Sequence, residues 1–118
     1  MELKRAVVTG LGALTPIGSN LQDYWNGLIN GVSGSELITR FDPSKFKTRF
    51  ACEVKNFDAA AHFERKEAKK YDLYTMFAMV VADEAIKDSG LNLDKINRER
   101  AGVIWAWVLV ALALFSRN

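Results

Sequence analysis

The chain has 118 residues, of which 49% are hydrophobic, and its formal net charge at pH 7 is +2. This length and composition suit a small globular unit, and so small a net charge gives no indication of nucleic-acid binding. The single cysteine excludes an internal disulfide and a cysteine-based metal site, and it favours a reducing, cytoplasmic compartment. No secretory signal is expected, because only a short apolar stretch follows Lys4 and Arg5.

The first predicted element is a short strand at residues 6–9, an apolar and partly β-branched run typical of a strand buried on both faces. Gly10 and Gly12 follow it, where the backbone needs unusual torsions or a close approach to a neighbour. A glycine-rich turn after a strand suggests a nucleotide-binding loop, but the dinucleotide motif requires a third glycine where this chain has Thr15. The spacing therefore argues against a nucleotide site, and a simple turn is predicted at 13–19.

A helix is predicted to begin after Asn20, where Asp23 stands in the spacing of a capping box, and to end before Gly31. Its apolar residues form one stripe at helical spacing. They are Leu21, Tyr24, Trp25, Leu28 and Ile29. Residues 32–50 are predicted to form a loop, and 50–54 a short extended piece.

Asp58 is predicted to cap a brief helix at 59–63. The strongest helical pattern spans 72–89, with Asp72 as its cap and Gly90 as its terminator. Because apolar residues cover more than half of its circumference, this helix should be central and should have neighbours on two sides.

Residues 101–105 are predicted to form a second buried strand, and an apolar tail follows at 106–118. Fifteen residues from Ala101 to Phe115 carry no charge. A membrane-spanning helix needs about 20 apolar residues, so a buried or aggregation-prone β segment is favoured over a membrane span. A membrane-anchored small protein is the alternative.

An ordered series of short motifs lies at residues 7–18, 25–28, 31–34, 38–42, 57–58, 65–70, 72, 82–91 and 100–104. Taken together and in this order, they resemble the amino terminus of the β-ketoacyl-acyl carrier protein synthases, the condensing enzymes of fatty acid synthesis, and most closely the type II enzymes. The resemblance ends after residue 105, and the abrupt change suggests a shifted reading frame or an artificial junction. We therefore divide the chain into an amino-terminal ketosynthase segment, 1–105, and a divergent tail, 106–118.

The resemblance implies an α/β fold, namely the amino-terminal part of a thiolase-like layered αβαβα fold that is incomplete in this chain. It also implies a parent reaction that condenses an acyl thioester with malonyl-acyl carrier protein and releases carbon dioxide. The family's nucleophilic cysteine, two histidines and lysine lie beyond the region covered, so no catalytic residue carries over, and no cofactor or metal is expected. Cys52 and His62 are not expected to replace the missing catalytic cysteine and histidines. Cys52 lacks a helix terminus that would activate its thiol, and we expect it to be a small buried residue. We expect His62 to be a surface or packing residue.

One functional element does carry over, a basic face formed by Lys66, Lys69 and Lys70. The resemblance implies that these residues help to dock the acidic helix of acyl carrier protein. Their spacing of i, i+3 and i+4 places them on one side if the segment is helical, which suits an acidic partner. The alternative is a solvated charged face. The expected partner is acyl carrier protein, and no binding to nucleic acid or membrane is expected. The resemblance also implies that the intact enzyme is a homodimer. The alternative function is a non-catalytic module that binds acyl carrier protein.

Overall fold

The computed structural model describes residues 4–105, and its elements mix helices with a short sheet. The helices are α1 (Leu21–Ile29), α2 (Arg65–Ala68) and α3 (Leu73–Ser89), and the strands are β1 (Ser35–Leu37) and β2 (Phe50–Cys52). Two 3₁₀ turns, Ala59–Ala61 and Arg98–Arg100, complete the list.

Both ends of α1 follow the local signals in the sequence. The side chain of Asn20 accepts a hydrogen bond from the backbone N–H of Asp23 at 2.9 Å, and its amide donates to the Asp23 carboxylate at 2.7 Å. At the other end Gly31 has a φ of 63°, a left-handed conformation that glycine adopts without strain. The predicted cap and terminator of α1 are therefore confirmed.

Helix α3 is the longest element among residues 4–105. The Asp72 carboxylate accepts from the backbone N–H of Thr75 at 3.0 Å, and Gly90, with a φ of 63°, ends the helix. Most side chains of α3 are half-buried, whereas Met79, Asp83 and Lys87, which follow one another at a spacing of four residues, are exposed. Within residues 4–105, Met76 is the one hydrophobic side chain that is buried, so this part of the chain has very little core of its own.

The sheet is an antiparallel hairpin in which Glu36 lies opposite Ala51. Strand β2 lies in the predicted extended piece, which is confirmed, whereas β1 lies inside the predicted loop 32–50, which is wrong in that part. Three residues are too few to show an alternating pattern, so nothing local marks β1 as a strand. The bond from the Ile38 N–H to the Arg49 carbonyl, at 3.0 Å, extends the ladder by one step.

The strands predicted at 6–9 and 101–105 are both wrong for the part of the chain that the structure describes. Neither segment is paired in a ladder or buried in a core: Val8 is 79% exposed and Ile104 is 94% exposed. A strand exists only beside a partner that accepts its backbone hydrogen bonds, and the residues described here supply none for either segment. The tail predicted at 106–118 lies outside the described residues.

The helix predicted at 59–63 with Asp58 as its cap is present as a shorter 3₁₀ turn. The Asp58 carboxylate accepts from the backbone N–H of Ala60 at 2.9 Å and caps the 3₁₀ turn Ala59–Ala61, after which the Phe63 N–H bonds to the Ala59 carbonyl. Among residues 4–105 no helix has the length and apolar character needed to cross a membrane.

Candidate functional site

The glycine-rich segment lies directly on α3. A Cβ atom added at Gly10 would be 2.3 Å from the Ala85 carbonyl oxygen, and one added at Gly12 would be 2.3 Å from the Val81 carbonyl oxygen. Neither glycine has a positive φ. Of the two reasons that the sequence offered for these glycines, close approach to a neighbour is therefore the one that applies.

Two carboxylates of α3 hold this segment through its backbone. Glu84 accepts from the Ala13 N–H at 2.7 Å and from the Leu21 N–H at 2.8 Å, and Asp88 accepts from the Leu11 N–H at 2.9 Å. A phosphate would need the same N–H groups and would meet two carboxylates there, so the geometry is hostile to a nucleotide. Sequence reasoning missed both residues, because their partners are backbone groups 63 to 77 positions away.

A cleft of about 520 Å³ lies beside this contact, between α3 and the start of α1. Its charged groups already have partners: Asp83 pairs with Lys87 at 2.6 Å, and Glu84 is used by the backbone. Within residues 4–105 no group of three or more His, Cys, Asp or Glu side chains could hold a metal ion. The carboxylates of the cleft are therefore engaged with Lys87 or with backbone N–H groups.

Cys52 and His62 have separate environments. Cys52 is exposed on β2, so the expectation that it is buried is wrong; a two-stranded hairpin with both faces open has no interior in which to place it. His62 follows the 3₁₀ turn, and its ring stacks on Phe57 with the centroids 5.7 Å apart, while Phe57 meets Phe77 edge-on at 4.8 Å. His62 is thus a packing residue on an aromatic cluster.

The basic face is helical along most of its length. Lys66 lies within α2, Lys69 caps it with helical torsions (φ −77°, ψ −17°), and the Lys70 N–H donates to the Glu67 carbonyl at 2.8 Å. The three lysines are exposed, and within residues 4–105 none of them forms an ion pair. Lys66 and Lys69 therefore have helical backbone and Lys70 lies in the turn that follows; a common face of the three stays a prediction.

Phe63 and Tyr71 lie before and after α2 in the sequence, and their rings meet edge-on with the centroids 6.3 Å apart. Within α2, Ala68 is half-buried, whereas the three lysines of the basic face are exposed.

A family profile described as "Beta-ketoacyl synthase, N-terminal domain" matches residues 4–110. This chain belongs to the β-ketoacyl synthase family. The family predicted from the ordered motifs is thereby confirmed. The match continues five residues past the proposed boundary at 105, which stays a prediction.

Curated relatives agree on the branch of the family. The chain is 50% identical over 104 residues to 3-oxoacyl-acyl-carrier-protein synthase 2 of Synechocystis sp., and 45% identical over 103 residues to the enzyme of the same name from Coxiella burnetii. These matches take in 88% and 87% of this chain but 25% of each relative. The chain thus spans about a quarter of the length of the enzymes that it matches.

Solved structures agree on the fold. The ishigamide ketosynthase/chain length factor superposes with a TM-score of 0.65 at 33% identity, covering 77% of this chain and 23% of that one. A second match has a TM-score of 0.58 at 25% identity, with the same coverage; it is a type II polyketide acyl-carrier protein in complex with its ketosynthase, AntDE with AntF. The chain therefore forms part of a thiolase-like ketosynthase fold, as the sequence predicts.

Proposed function

We propose that this chain is the amino-terminal part of a β-ketoacyl-acyl carrier protein synthase of fatty acid synthesis. The observation that carries the proposal is the 50% identity to a 3-oxoacyl-acyl-carrier-protein synthase over 104 residues, joined to a family match at 4–110. The parent reaction is a decarboxylative Claisen condensation: the acyl group leaves its thioester, a carbon–carbon bond forms to the malonyl unit, and carbon dioxide is released. A cytoplasmic location and a homodimeric parent enzyme belong to the same proposal, as does the division at residue 105.

This segment would contribute structure and docking to that reaction, without its covalent chemistry. The condensation needs an activated thiol and donors that stabilise an enolate oxyanion. The Cys52 thiol is free and exposed on β2, and the His62 ring is stacked on Phe57. We therefore propose that the nucleophile and its histidines belong to another part of the synthase.

Within the proposal, Lys66, Lys69 and Lys70 form the docking face for acyl carrier protein. Support comes from their exposure, from the helical backbone beneath them and from the absence of any ion pair to them among the described residues. Charge attraction of this kind acts over a screening length of about 8 Å at physiological salt, and it favours fast, weak association. Three exposed cations alone should give a dissociation constant no tighter than roughly high micromolar.

The test is a binding titration with the full chain tethered at low density, so that copies of it stay apart, and purified acyl carrier protein as the mobile partner. Replacing Lys66, Lys69 and Lys70 by glutamate should abolish the binding. The matched control changes three exposed cations elsewhere, Lys4, Lys95 and Arg100, to glutamate and alters the net charge equally. Equal losses in the two triple variants would show that only overall charge matters and would remove the docking role.

A non-catalytic module that binds acyl carrier protein is the second candidate. It is favoured by the lack of any catalytic arrangement among residues 4–105 together with the free basic face. The two candidates differ in one respect: only a synthase segment should restore condensing activity when it replaces the same segment of an intact synthase.

A further inference from the structure

The loop between β1 and β2 concentrates positive charge. Residues 40–50 contain four cations, Arg40, Lys45, Lys47 and Arg49, against the single carboxylate of Asp42. Their net charge of +3 exceeds the +2 of the whole chain. We call these four cations, together with the two phenylalanines among them, the basic tip.

Internal hydrogen bonds give this loop a defined shape. Asp42 accepts from both the backbone N–H and the hydroxyl of Ser44 at 3.0 Å, and the Phe46 N–H donates to the Pro43 carbonyl at 3.0 Å. The Arg49 Nε donates to the Phe46 carbonyl at 3.2 Å. A loop that is ordered before binding loses less conformational entropy when a partner arrives.

The basic tip also presents an apolar anchor. Phe41 and Phe46 meet edge-on with their centroids 5.7 Å apart, yet they are 53% and 57% exposed. The side chains of Lys45 and Lys47 are exposed and form no ion pair within the described residues, and the only carboxylate of the loop, Asp42, is occupied by Ser44. Exposed aromatic side chains next in sequence to unpaired cations are typical of a binding surface for an anionic partner with an apolar patch.

The overall charge of the chain indicates the class of that partner. At the base of the hairpin Glu36 is paired with Lys55, and Glu53 accepts a hydrogen bond from the Thr39 hydroxyl, so these two carboxylates are already compensated. A nucleic acid or an anionic bilayer presents extended, uniform negative charge, and the chain's net charge of +2 is small for such a partner. A small cationic tip with an apolar anchor suits a protein surface whose acidic side chains are localised.

We propose that the basic tip binds an acidic protein surface, and that this surface belongs to the carrier protein that the synthase serves. The inference rests on the proposed function and adds a second contact, separate in sequence from Lys66, Lys69 and Lys70. In this arrangement the lysines of the tip attract acidic side chains, and the two phenylalanines cover an adjacent apolar patch.

The experiment uses the tethered full chain and acyl carrier protein, with Lys66, Lys69 and Lys70 unchanged. Lys45→Glu with Lys47→Glu is compared with Lys4→Glu and Lys95→Glu, which makes the same change of net charge at distant exposed sites. The tip variant should weaken binding at least about threefold more than the control, with a shallower salt dependence. Phe41→Ser with Phe46→Ser should weaken binding by a factor that persists at high salt, because apolar contact is not screened.

Each alternative outcome has a distinct meaning. If the tip variant and its control bind equally while the Lys66, Lys69 and Lys70 variant still fails to bind, the tip is not a contact and the proposed function stands. If the unaltered chain binds no carrier protein, both proposals fail. Vesicles of phosphatidylglycerol and phosphatidylcholine and a single-stranded RNA serve as further probes; binding to either one that depends on Lys45 and Lys47, without such dependence for carrier protein, overturns the inference.

Discussion

The carboxylate of Glu84 accepts a hydrogen bond from the backbone N–H of Ala13 at 2.7 Å, although 71 positions separate the two residues in the sequence. The other oxygen of the same carboxylate accepts from the Leu21 N–H, in the first turn of α1. One side chain of α3 therefore fixes both the glycine-rich segment and the start of the next helix. The negative charge also lies where a helix amino terminus favours it.

Replacing Glu84 by glutamine should release one of these two contacts, because the amide has one acceptor oxygen and its NH₂ group cannot accept. Loss of a hydrogen bond to a charged, half-buried group costs about 1.5–3 kcal/mol. We expect faster amide hydrogen exchange at Ala13 or Leu21. The control, Asp83→Asn, removes only an exposed ion pair with Lys87 and should leave both amides protected; equal exchange in the two variants would contradict the role of Glu84.

Replacing Gly12 by alanine should separate the glycine-rich segment from α3. The new Cβ would lie 2.3 Å from the backbone oxygen of Val81, which cannot move without disturbing the helix. Overpacking of this kind costs about 1–3 kcal/mol. Thermal unfolding followed by circular dichroism measures the effect, and Gly102→Ala is the control, since nothing lies within 4 Å of its Cβ position. Equal stability of the two variants would show that the segment does not contact α3 in solution.

The cap of α3 should be sensitive to acid. Hydrogen bonds from Thr75 lower the pKa of Asp72 below its ordinary value of 3.8. Because the pKa is lower in the folded state, the stabilisation is complete above the ordinary value and is lost as the pH falls through the lowered one. The protection of the Thr75 amide against hydrogen exchange is compared with that in Asp72→Asn at each pH. Protection should fall in acid only in the unaltered chain, because asparagine caps without titrating. Identical pH profiles would rule out the Asp72 carboxylate as the titrating cap.

The ends of the helices could be predicted from the sequence because their determinants are local. Asn20, Gly31, Asp72 and Gly90 act on backbone groups within a few residues of themselves. The helical backbone at Lys66 and Lys69 was predictable for the same reason, whereas the face that they would share with Lys70 stays a prediction. Its docking role stays a prediction.

Long-range relationships could not be predicted in the same way. The apolar patterns at 6–9 and 101–105 indicate that these segments favour burial. A strand also needs a second strand with which to form hydrogen bonds, and no local signal in the sequence shows whether one is present. The contacts of Glu84 join a side chain to backbone groups that any residue could supply. Cys52 was expected to be buried because cysteine usually is, yet its exposure depends on what covers the hairpin.

We expect the isolated chain to associate in solution. On α1, Trp25 and Ile29 are 58% and 62% exposed, and contiguous apolar surface of this kind promotes association. Trp25→Lys with Ile29→Lys should reduce the mass measured by light scattering, whereas Gln22→Lys with Asn26→Lys, on exposed polar positions of the same helix, should not. Deleting residues 106–118 should reduce it further. A monomer with a cooperative melt in the unaltered chain would contradict this expectation.

The central claim is that this chain is a ketosynthase segment that docks carrier protein without performing the chemistry. It is tested most directly by replacing the aligned segment of the Synechocystis synthase with residues 4–105 and measuring condensation of acyl- and malonyl-carrier protein. We predict activity in the chimera, none in the 118-residue chain alone, and a raised KM for carrier-protein substrates when Lys66, Lys69 and Lys70 become glutamate. A folded but inactive chimera, or a KM unchanged by the three substitutions, would contradict the account.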